Sequence, residues 1–237
     1  MTPAVKPRFE YKFRLSVASY FRALNAIRPY CRLDPYAAAA PGGRYFVRSL
    51  YYDTPDYDAY FEKMTGVYHR DKFRIRTYGE QPSPDLAVKV ERKSRIGYLI
   101  YKTVDTVALK DFEAFQETSS WDGRDGDTLG ALAYQVVRNR ARPTLLVDYH
   151  REAFTSLDGR DVRFSFDHDV RYARAQSLFQ PGAVFRECYQ NSIIFEIKAS
   201  ENDVDWLARV TQEIGLASEP NSKYANAFEH VIDDVRV

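Results

Sequence analysis

Lysines, arginines and glutamates fall at every second position along several stretches of this chain, with aromatic or branched residues between them. Arg8, Glu10 and Lys12 alternate with Phe9, Tyr11 and Phe13, and Lys72, Arg74 and Arg76 alternate with Phe73 and Ile75. Lys89, Glu91 and Lys93 form a third set. Arg163, Ser165 and Asp167 alternate with Val162, Phe164 and Phe166, and Glu196 and Lys198 with Phe195 and Ile197. Lys102 and Arg151 stand on two further extended stretches. In a strand, alternate residues face opposite sides, so each stretch has one ionic face and one apolar face. An antiparallel sheet commonly turns a polar side to water. A solvated side, however, mixes in neutral polar residues and both signs of charge, whereas these faces are dominated by Arg and Lys with single glutamates. Cations gathered round an enclosed space repel one another and lose hydration unless an anion answers them. Guanidinium groups clamp phosphate oxygens in two-pronged fashion and ammonium groups act as point charges, so a chain of phosphates fits. The interleaved glutamates suit a divalent cation that bridges phosphate oxygens. The chemistry indicated is phosphoryl transfer, in which a protein positions the reactants and neutralises charge.

The elements that must position these residues are mostly strands. After the first alternating stretch, Ser16 opens an amphipathic helix carrying Val17, Phe21, Leu24 and Ile27, which Pro29 stops. Residues 31–43, with their prolines, glycines and alanine run, read as a loop. Strands are expected over 44–52, 67–78, 86–93 and 98–109, with a short helix over 55–64 capped by Asp53 and Thr54. Helical pieces follow at 111–115 and 129–139. The pair Asp158-Gly159 marks a hairpin between strands 143–154 and 160–168. A strand at 192–199 and helices over 204–214 and 224–231 complete the chain. Closing a sheet of about eight strands turns one face inward and leaves the other for helices to cover. The expected fold is therefore α+β, mainly antiparallel β, as a closed eight-stranded barrel with helices outside.

Composition limits the function classes. The 237 residues, with no linker composition, read as one domain over 1–237. Lys and Arg total 34 against 33 Asp and Glu, so the overall charge offers no footprint for nucleic acid, and any anion site is local. The 18 Tyr and 15 Phe suit pleated strands. Cys31 and Cys188 are isolated and no disulfide framework is indicated, so the expected location is the cytoplasm. No stretch approaches the roughly 20 apolar residues of a membrane span. His69, His150, His168 and His230 lack metal-ligand spacing, Gly42-Gly43 is not followed by a phosphate-loop lysine, and nothing in the sequence pairs Ser222 or Cys188 with a histidine as a nucleophile. The aromatic residues fall on the face opposite the cations, which suits core packing over base stacking.

The motifs, taken in order, make the chain recognisable. They are Arg8-Phe9-Glu10-Tyr11-Lys12, Ser49-Leu50-Tyr51-Tyr52-Asp53-Thr54, Lys72 through Tyr78, and Glu91-Arg92-Lys93. Further along come Tyr149-His150-Arg151, Arg163 through Asp167, Phe195-Glu196-Ile197-Lys198 and Ser222-Lys223-Tyr224. The chain resembles the triphosphate tunnel metalloenzymes and, among them, the polyphosphate polymerase domain of the vacuolar transporter chaperone (VTC) type. The resemblance implies that Lys12, Arg74, Arg76, Lys93, Lys102, Arg151, Arg163 and Lys198 hold the phosphates of ATP and of a growing polyphosphate chain. It implies that Lys223, with Arg74 and Arg76, acts on the reacting phosphates, and that Glu196, with Glu10, binds Mn2+ or Mg2+. Arg8 stands where the wider superfamily often has a glutamate, which fits the polymerase branch, and Arg95 stands where some relatives carry a histidine. A partner in a membrane is compatible with this type, and the oligomeric state is not readable. Two rivals stay open: a hydrolase of the same superfamily acting on inorganic, thiamine or nucleoside triphosphates, and a non-catalytic polyphosphate or nucleotide sensor.

Overall fold

The computed structural model describes residues 9–97, 99–200, 205–215 and 221–233. Arg8, Tyr98 and Val204, which belong to expectations above, lie outside the described residues. In chain order the elements are β1 (Phe9–Leu15), α1 (Val17–Ile27), β2 (Cys31–Leu33), α2 (Pro35–Ala39), β3 (Tyr45–Asp53), α3 (Asp58–Thr65), β4 (His69–Thr77), β5 (Ala87–Ile96) and β6 (Leu99–Ala108). Then come α4 (Leu109–Thr118), α5 (Asp127–Asn139), β7 (Arg142–Ser156), β8 (Val162–Arg174), β9 (Arg186–Glu187), β10 (Ile193–Ala199), α6 (Asp205–Ile214) and α7 (Lys223–Asp233). The described residues fall into two compact units. Unit 1 draws on Met1–Phe46, Tyr149–Val170 and Glu187–Ser222, and unit 2 on Val47–Asp148, Arg171–Arg186 and Lys223–Val237.

In unit 1 the strands run in the order β1-β10-β8-β7, with β2 beside β7. The antiparallel register sets Phe13 opposite Phe195 and Phe195 opposite Phe166. This apolar face, with Leu15, Phe164 and Ile197, packs on Tyr20, Ala23, Leu24 and Ile27 of α1 and on Leu207 and Val210 of α6. Helix α1 starts where the Ser16 hydroxyl accepts the Ser19 N–H at 3.2 Å. Its buried stripe corrects the expected one: Val17 and Phe21 are exposed, and Tyr20 and Ala23 take their place beside Leu24 and Ile27. Both stripes have helical spacing, and only the position of the sheet chooses between them.

Residues 31–43 are not a plain loop. Cys31–Leu33 pair with Phe154–Ser156, and Pro35 opens α2, whose N-cap Asp34 accepts the Ala37 N–H at 2.7 Å. An Asp-Pro step that reads as a break is here a helix start, because proline's fixed φ suits the first helical position. The hairpin between β7 and β8 turns at Asp158-Gly159 as expected, with Gly159 at φ 78°, but its loop spans 157–161 because β7 continues to Ser156.

In unit 2 the order is β7-β3-β4-β5-β6. Leu50, Tyr52, Phe73, Ile75, Val88, Val90 and Val107 form its apolar face, covered by Leu109, Phe112 and Phe115 of α4 and Leu129 and Leu132 of α5. Helix α4 starts two residues before the expected Asp111, whose carboxylate accepts the Ala108 N–H at 3.2 Å. The carboxylate of Asp105 on β6 caps α5 from outside that helix, accepting Thr128 N–H at 3.0 Å and Leu129 N–H at 3.1 Å.

The α+β class with a large antiparallel sheet is as expected. The closed barrel is not: among the described residues the ladders begin at β1 and end at β6, and no hydrogen bonds join those two strands. Alternation of side chains specifies the two faces of each strand, but not whether the first strand meets the last. No helix among the described residues is long and apolar enough to cross a membrane.

Phe166 is fully buried, with ring contacts to Tyr20, Phe154 and Phe195. Phe166→Ala is expected to lower unfolding free energy by about 3–5 kcal/mol, whereas Phe21→Ala on the exposed side of α1 changes it by less than about 0.5 kcal/mol. Urea unfolding followed by circular dichroism checks both.

Candidate phosphate-binding site

Unit 2 concentrates the cations. The ladders place Lys72 opposite Lys93 and Lys93 opposite Lys102, an unbroken row of ammonium-bearing residues across β4, β5 and β6. One row along, Tyr51, Arg74 and Glu91 lie side by side, and beyond them Ser49, Arg76 and Lys89. All of these share one face, because direct partners in an antiparallel ladder point to the same side. Like charges placed directly opposite each other destabilise a sheet, so this row needs a compensating anion.

Glu91 supplies part of it. Its carboxylate is 2% exposed. Arg74 grips Oε2 with Nε and Nη2, both at 2.6 Å; Lys102 donates to Oε1 at 2.8 Å, and Arg76 Nη1 lies 4.0 Å from the same oxygen. Burial alone would raise the Glu91 carboxyl, but Arg74, Arg76 and Lys102 outweigh it and hold the group well below the ordinary carboxylate range. Desolvation brings the Lys102 ammonium down to about 8 despite Glu91, and that of Lys72 also to about 8, with Lys63, Arg70 and Lys93 adding to the effect on Lys72. One carboxylate answers several cations.

Around this cluster, Tyr51 accepts a hydrogen bond from Arg74 Nη1 at 3.2 Å, and Arg76 Nε donates to the buried Ser49 hydroxyl at 3.2 Å. Burial would raise the Tyr51 phenol, yet Arg74 and Arg76, with a smaller contribution from Lys223, lower it. Lys223, the first residue of α7, therefore lies within electrostatic reach of the same hydroxyl.

Unit 1 carries a different pattern. Its ladders set Glu10 opposite Lys198 and Lys198 opposite Arg163, then Lys12 opposite Glu196 and Glu196 opposite Ser165. Signs alternate across β1 and β10. Glu196, 7% exposed, has Lys198 Nζ at 3.1 Å, Lys12 Nζ at 3.5 Å and Arg151 Nη2 at 3.9 Å. Arg151 is gripped by the fully buried Asp167 through bonds of 2.6 and 2.9 Å. Burial would lower the Arg151 guanidinium, but Asp167 outweighs it and holds the charge firmly on. Desolvation lowers the Lys198 ammonium although Glu196 and Glu10 oppose it. Lys12 also donates to the Asn221 carbonyl at 3.0 Å, and the Asn221 side chain accepts from Tyr189 at 2.8 Å.

Of the residues expected from sequence, Arg74, Arg76, Lys93, Lys102 and Lys223 thus belong to the unit 2 cluster, and Lys12, Arg151, Lys198, Glu196 and Glu10 to the unit 1 face. Arg163 shares that face by register, but its side chain is 60% exposed and lies 3.4 Å from Asp161. Arg95 donates to the Gly97 carbonyl at 2.8 Å and so serves the β5–β6 turn. Sequence reasoning took Glu91 only as one of the interleaved glutamates suited to a divalent cation, whereas it is held by Arg74, Arg76 and Lys102, and it assigned no role to Asp167, Ser49 or Tyr51. The signal for Glu91 was present: a lone acid between Lys89 and Lys93 at period two.

Among the described residues no three of His, Cys, Asp and Glu gather as a metal site. Glu196 and Glu10 lie diagonally on one face, each next to Lys198. The donor set does not fit a cation held by protein alone. It fits a hard divalent ion that takes one or two carboxylates and completes its shell with phosphate and water oxygens.

The sequence matches the VTC domain family over residues 7–232. No curated protein matches it in sequence. Among solved structures it is similar to a Bacillus halodurans protein described as a candidate adenylate cyclase, with a TM-score of 0.55 and 10% identity, over 92% of this chain and 96% of that one. It is similar to the same degree, with a TM-score of 0.55 and 13% identity, to a candidate adenylyl cyclase from Hippeastrum with a dominant triphosphatase activity, over 94% of this chain and 96% of that one. At these identities the likeness is one of fold.

A carboxyl whose folded-state value is depressed contributes stability that is complete above its ordinary value, here 4.5, and is lost as pH falls through the lowered one. Glu91→Gln is therefore expected to cost about 3–5 kcal/mol at pH 7, since it removes the buried carboxylate that Arg74, Arg76 and Lys102 share. It is also expected to flatten the loss of stability below about pH 4.5. Urea unfolding across a pH series measures both effects.

Proposed function

The chain belongs to the VTC domain family, and from that premise we propose that it is a polyphosphate polymerase transferring the γ-phosphate of ATP to a growing chain of inorganic phosphate. The row Lys72, Lys93, Lys102, with Arg74 and Arg76 beside it and Glu91 as the buried acid among them, carries the reading. Such a concentration of cations on one face suits a polyanion. Arg and Lys together supply both the directional and the point-charge contacts that a run of phosphates needs.

The residues proposed to bind phosphate are Arg74, Arg76, Lys93, Lys102 and Lys223 in unit 2, and Lys12, Arg151, Arg163 and Lys198 in unit 1. Arg74, Arg76 and Lys223 neutralise the charge that spreads over the equatorial oxygens of the transferring phosphoryl group. A terminal oxygen of the polyphosphate chain forms the new bond to the γ-phosphorus, the bond to the β-bridging oxygen breaks, and ADP leaves with that electron pair. No protein nucleophile takes part. Glu196, with Glu10, would hold Mn2+ or Mg2+, which would supply positive charge to screen the phosphates. Lys12 and Lys198 orient the Glu196 carboxylate. In this reading residues 1–237 work as one catalytic domain in the cytoplasm, where ATP is supplied and the buried thiols of Cys31 and Cys188 stay reduced. A membrane-held partner is compatible with it.

Triphosphate hydrolysis is the second reading, favoured by the fold shared with the Hippeastrum protein. It differs only in the acceptor, water in place of a phosphate chain. Incubation with ATP and Mn2+, followed by sizing of phosphate polymers on a gel, is expected to show chains that lengthen with time; orthophosphate release without polymer would establish the hydrolase instead. Glu196→Ala is expected to reduce turnover at least about 100-fold while retaining tripolyphosphate binding, and unchanged turnover would remove the metal role from Glu196. Binding with no turnover of any triphosphate would leave a sensor.

A further inference from the structure

Within unit 2, helix α7 is tied at its first turn through Tyr224 and farther along through Phe228, His230 and Val231. Tyr224 is buried and its hydroxyl donates to Asp53 Oδ2. Its ring stacks on Tyr51 at 5.2 Å and packs on Phe228 at 5.7 Å, and Lys72 Nζ lies 5.4 Å from its centroid. Asp53, 3% exposed at the end of β3, is wholly committed. Its oxygens also accept the N–H groups of Thr54 at 2.8 Å, Ala59 at 2.9 Å and Tyr60 at 3.2 Å. It therefore caps α3, whose own N-cap Tyr57 makes no side-chain cap bond. One carboxylate thus ties the start of α3 and the start of α7 to the strand that bears Tyr51. Asp53 has the parity of Ser49 and Tyr51 on β3, and Tyr224 packs on Tyr51 and Lys72, so both border the cation-rich face, but a buried carboxylate already accepting these bonds is poorly placed to be a ligand as well.

We propose that Tyr224 and Asp53 form a latch that positions Lys223, fixing the first turn of α7 so that the ammonium is held beside Tyr51 and the guanidinium of Arg74. The argument is one of geometry. Lys223 precedes Tyr224 directly, Tyr224 stacks on Tyr51, and Tyr51 is hydrogen-bonded to Arg74 at 3.2 Å. The Lys223 charge is felt at the Tyr51 hydroxyl, as that placement requires. A lysine on a flexible four-carbon stem is a poor positioning device by itself, so the precision must come from its backbone. Tyr224 and Asp53 are positioning residues, and the proposal rests on the phosphate-binding role given to Lys223 above.

The test uses the full chain, inorganic tripolyphosphate as the probe and isothermal titration without metal, so that turnover plays no part. Lys223→Ala is expected to weaken binding roughly 10- to 100-fold, the loss of a charge-assisted contact. Tyr224→Phe keeps the stacked ring and removes only the hydroxyl, and is expected to weaken binding roughly 5-fold. The double variant is expected to match Lys223→Ala within about twofold, because a latch that acts through Lys223 has nothing left to position. Asp53→Asn, which retains an oxygen to cap α3 but no longer accepts the Tyr224 proton, is expected to follow Tyr224→Phe and serves if that variant fails to fold. A Tyr224→Phe loss that persists undiminished in the Lys223→Ala background, or no loss at all, would overturn the latch while leaving Lys223 in place. Unchanged binding by Lys223→Ala would remove the role of Lys223 and the latch with it.

Discussion

One buried carboxylate shared among several cations is the constraint on which the rest of this structure depends. In unit 2, Arg74, Arg76 and Lys102 converge on Glu91, and Lys72 and Lys93 stand directly across a ladder from each other. A protein does not assemble such a row for stability, since desolvated cations repel and each is costly to hold without a partner. Glu91 makes the cluster tolerable in the absence of ligand. The density of cations on this face is what recommends it as a candidate site.

The other face of the same strands supplies what the charged face costs. Phe73 and Ile75 lie between Lys72, Arg74 and Arg76 in sequence, and Val88 and Val90 flank Lys89. These residues pack on α4 and α5, so each strand is anchored by its apolar side while its ionic side is held in register. Unit 1 repeats the principle with Phe164, Phe166, Phe195 and Ile197 against α1 and α6. Its ionic face is nonetheless different in kind. Glu10, Glu196 and Asp167 are interleaved with Lys12, Lys198 and Arg151, so signs are largely matched within the face. A balanced face is suited to orienting carboxylates, and a cation-rich one to gripping phosphate. That division fits the phosphoryl transfer proposed above, in which the protein forms no bond and acts through charge and position.

Much of the site could be read from residue spacing. Lys72, Arg74, Arg76, Lys93, Lys12, Glu196 and Lys198 were marked by period two, and the ladders place them where that period requires. The harder cases follow from physics that acts between segments. Arg163 has the right parity, yet it lies near the end of β8 with most of its side chain in solvent, beside Asp161. Parity reports a face but not depth along it. The buried stripe of α1 passes through Tyr20 and Ala23 instead of Val17 and Phe21, because two adjacent stripes of one helix are both apolar. The segment 31–43 looked structureless since its Asp34-Pro35 step and its pairing with β7 are recognisable only with the partner strand in view.

The sequence by itself determined which residues share a face, where the strands alternate, and that the ionic faces are rich in arginine and lysine, because the two-residue repeat of a strand is a local property of the backbone. It determined the family as well, through the order of its motifs. Only the tertiary structure decided that Glu91 is the carboxylate on which Arg74, Arg76 and Lys102 meet, and that Asp53 ties α3 and α7 to one strand end. Those outcomes depend on register and on which strands become neighbours. Both are set by packing between residues far apart in the chain, about which a local repeat carries no information.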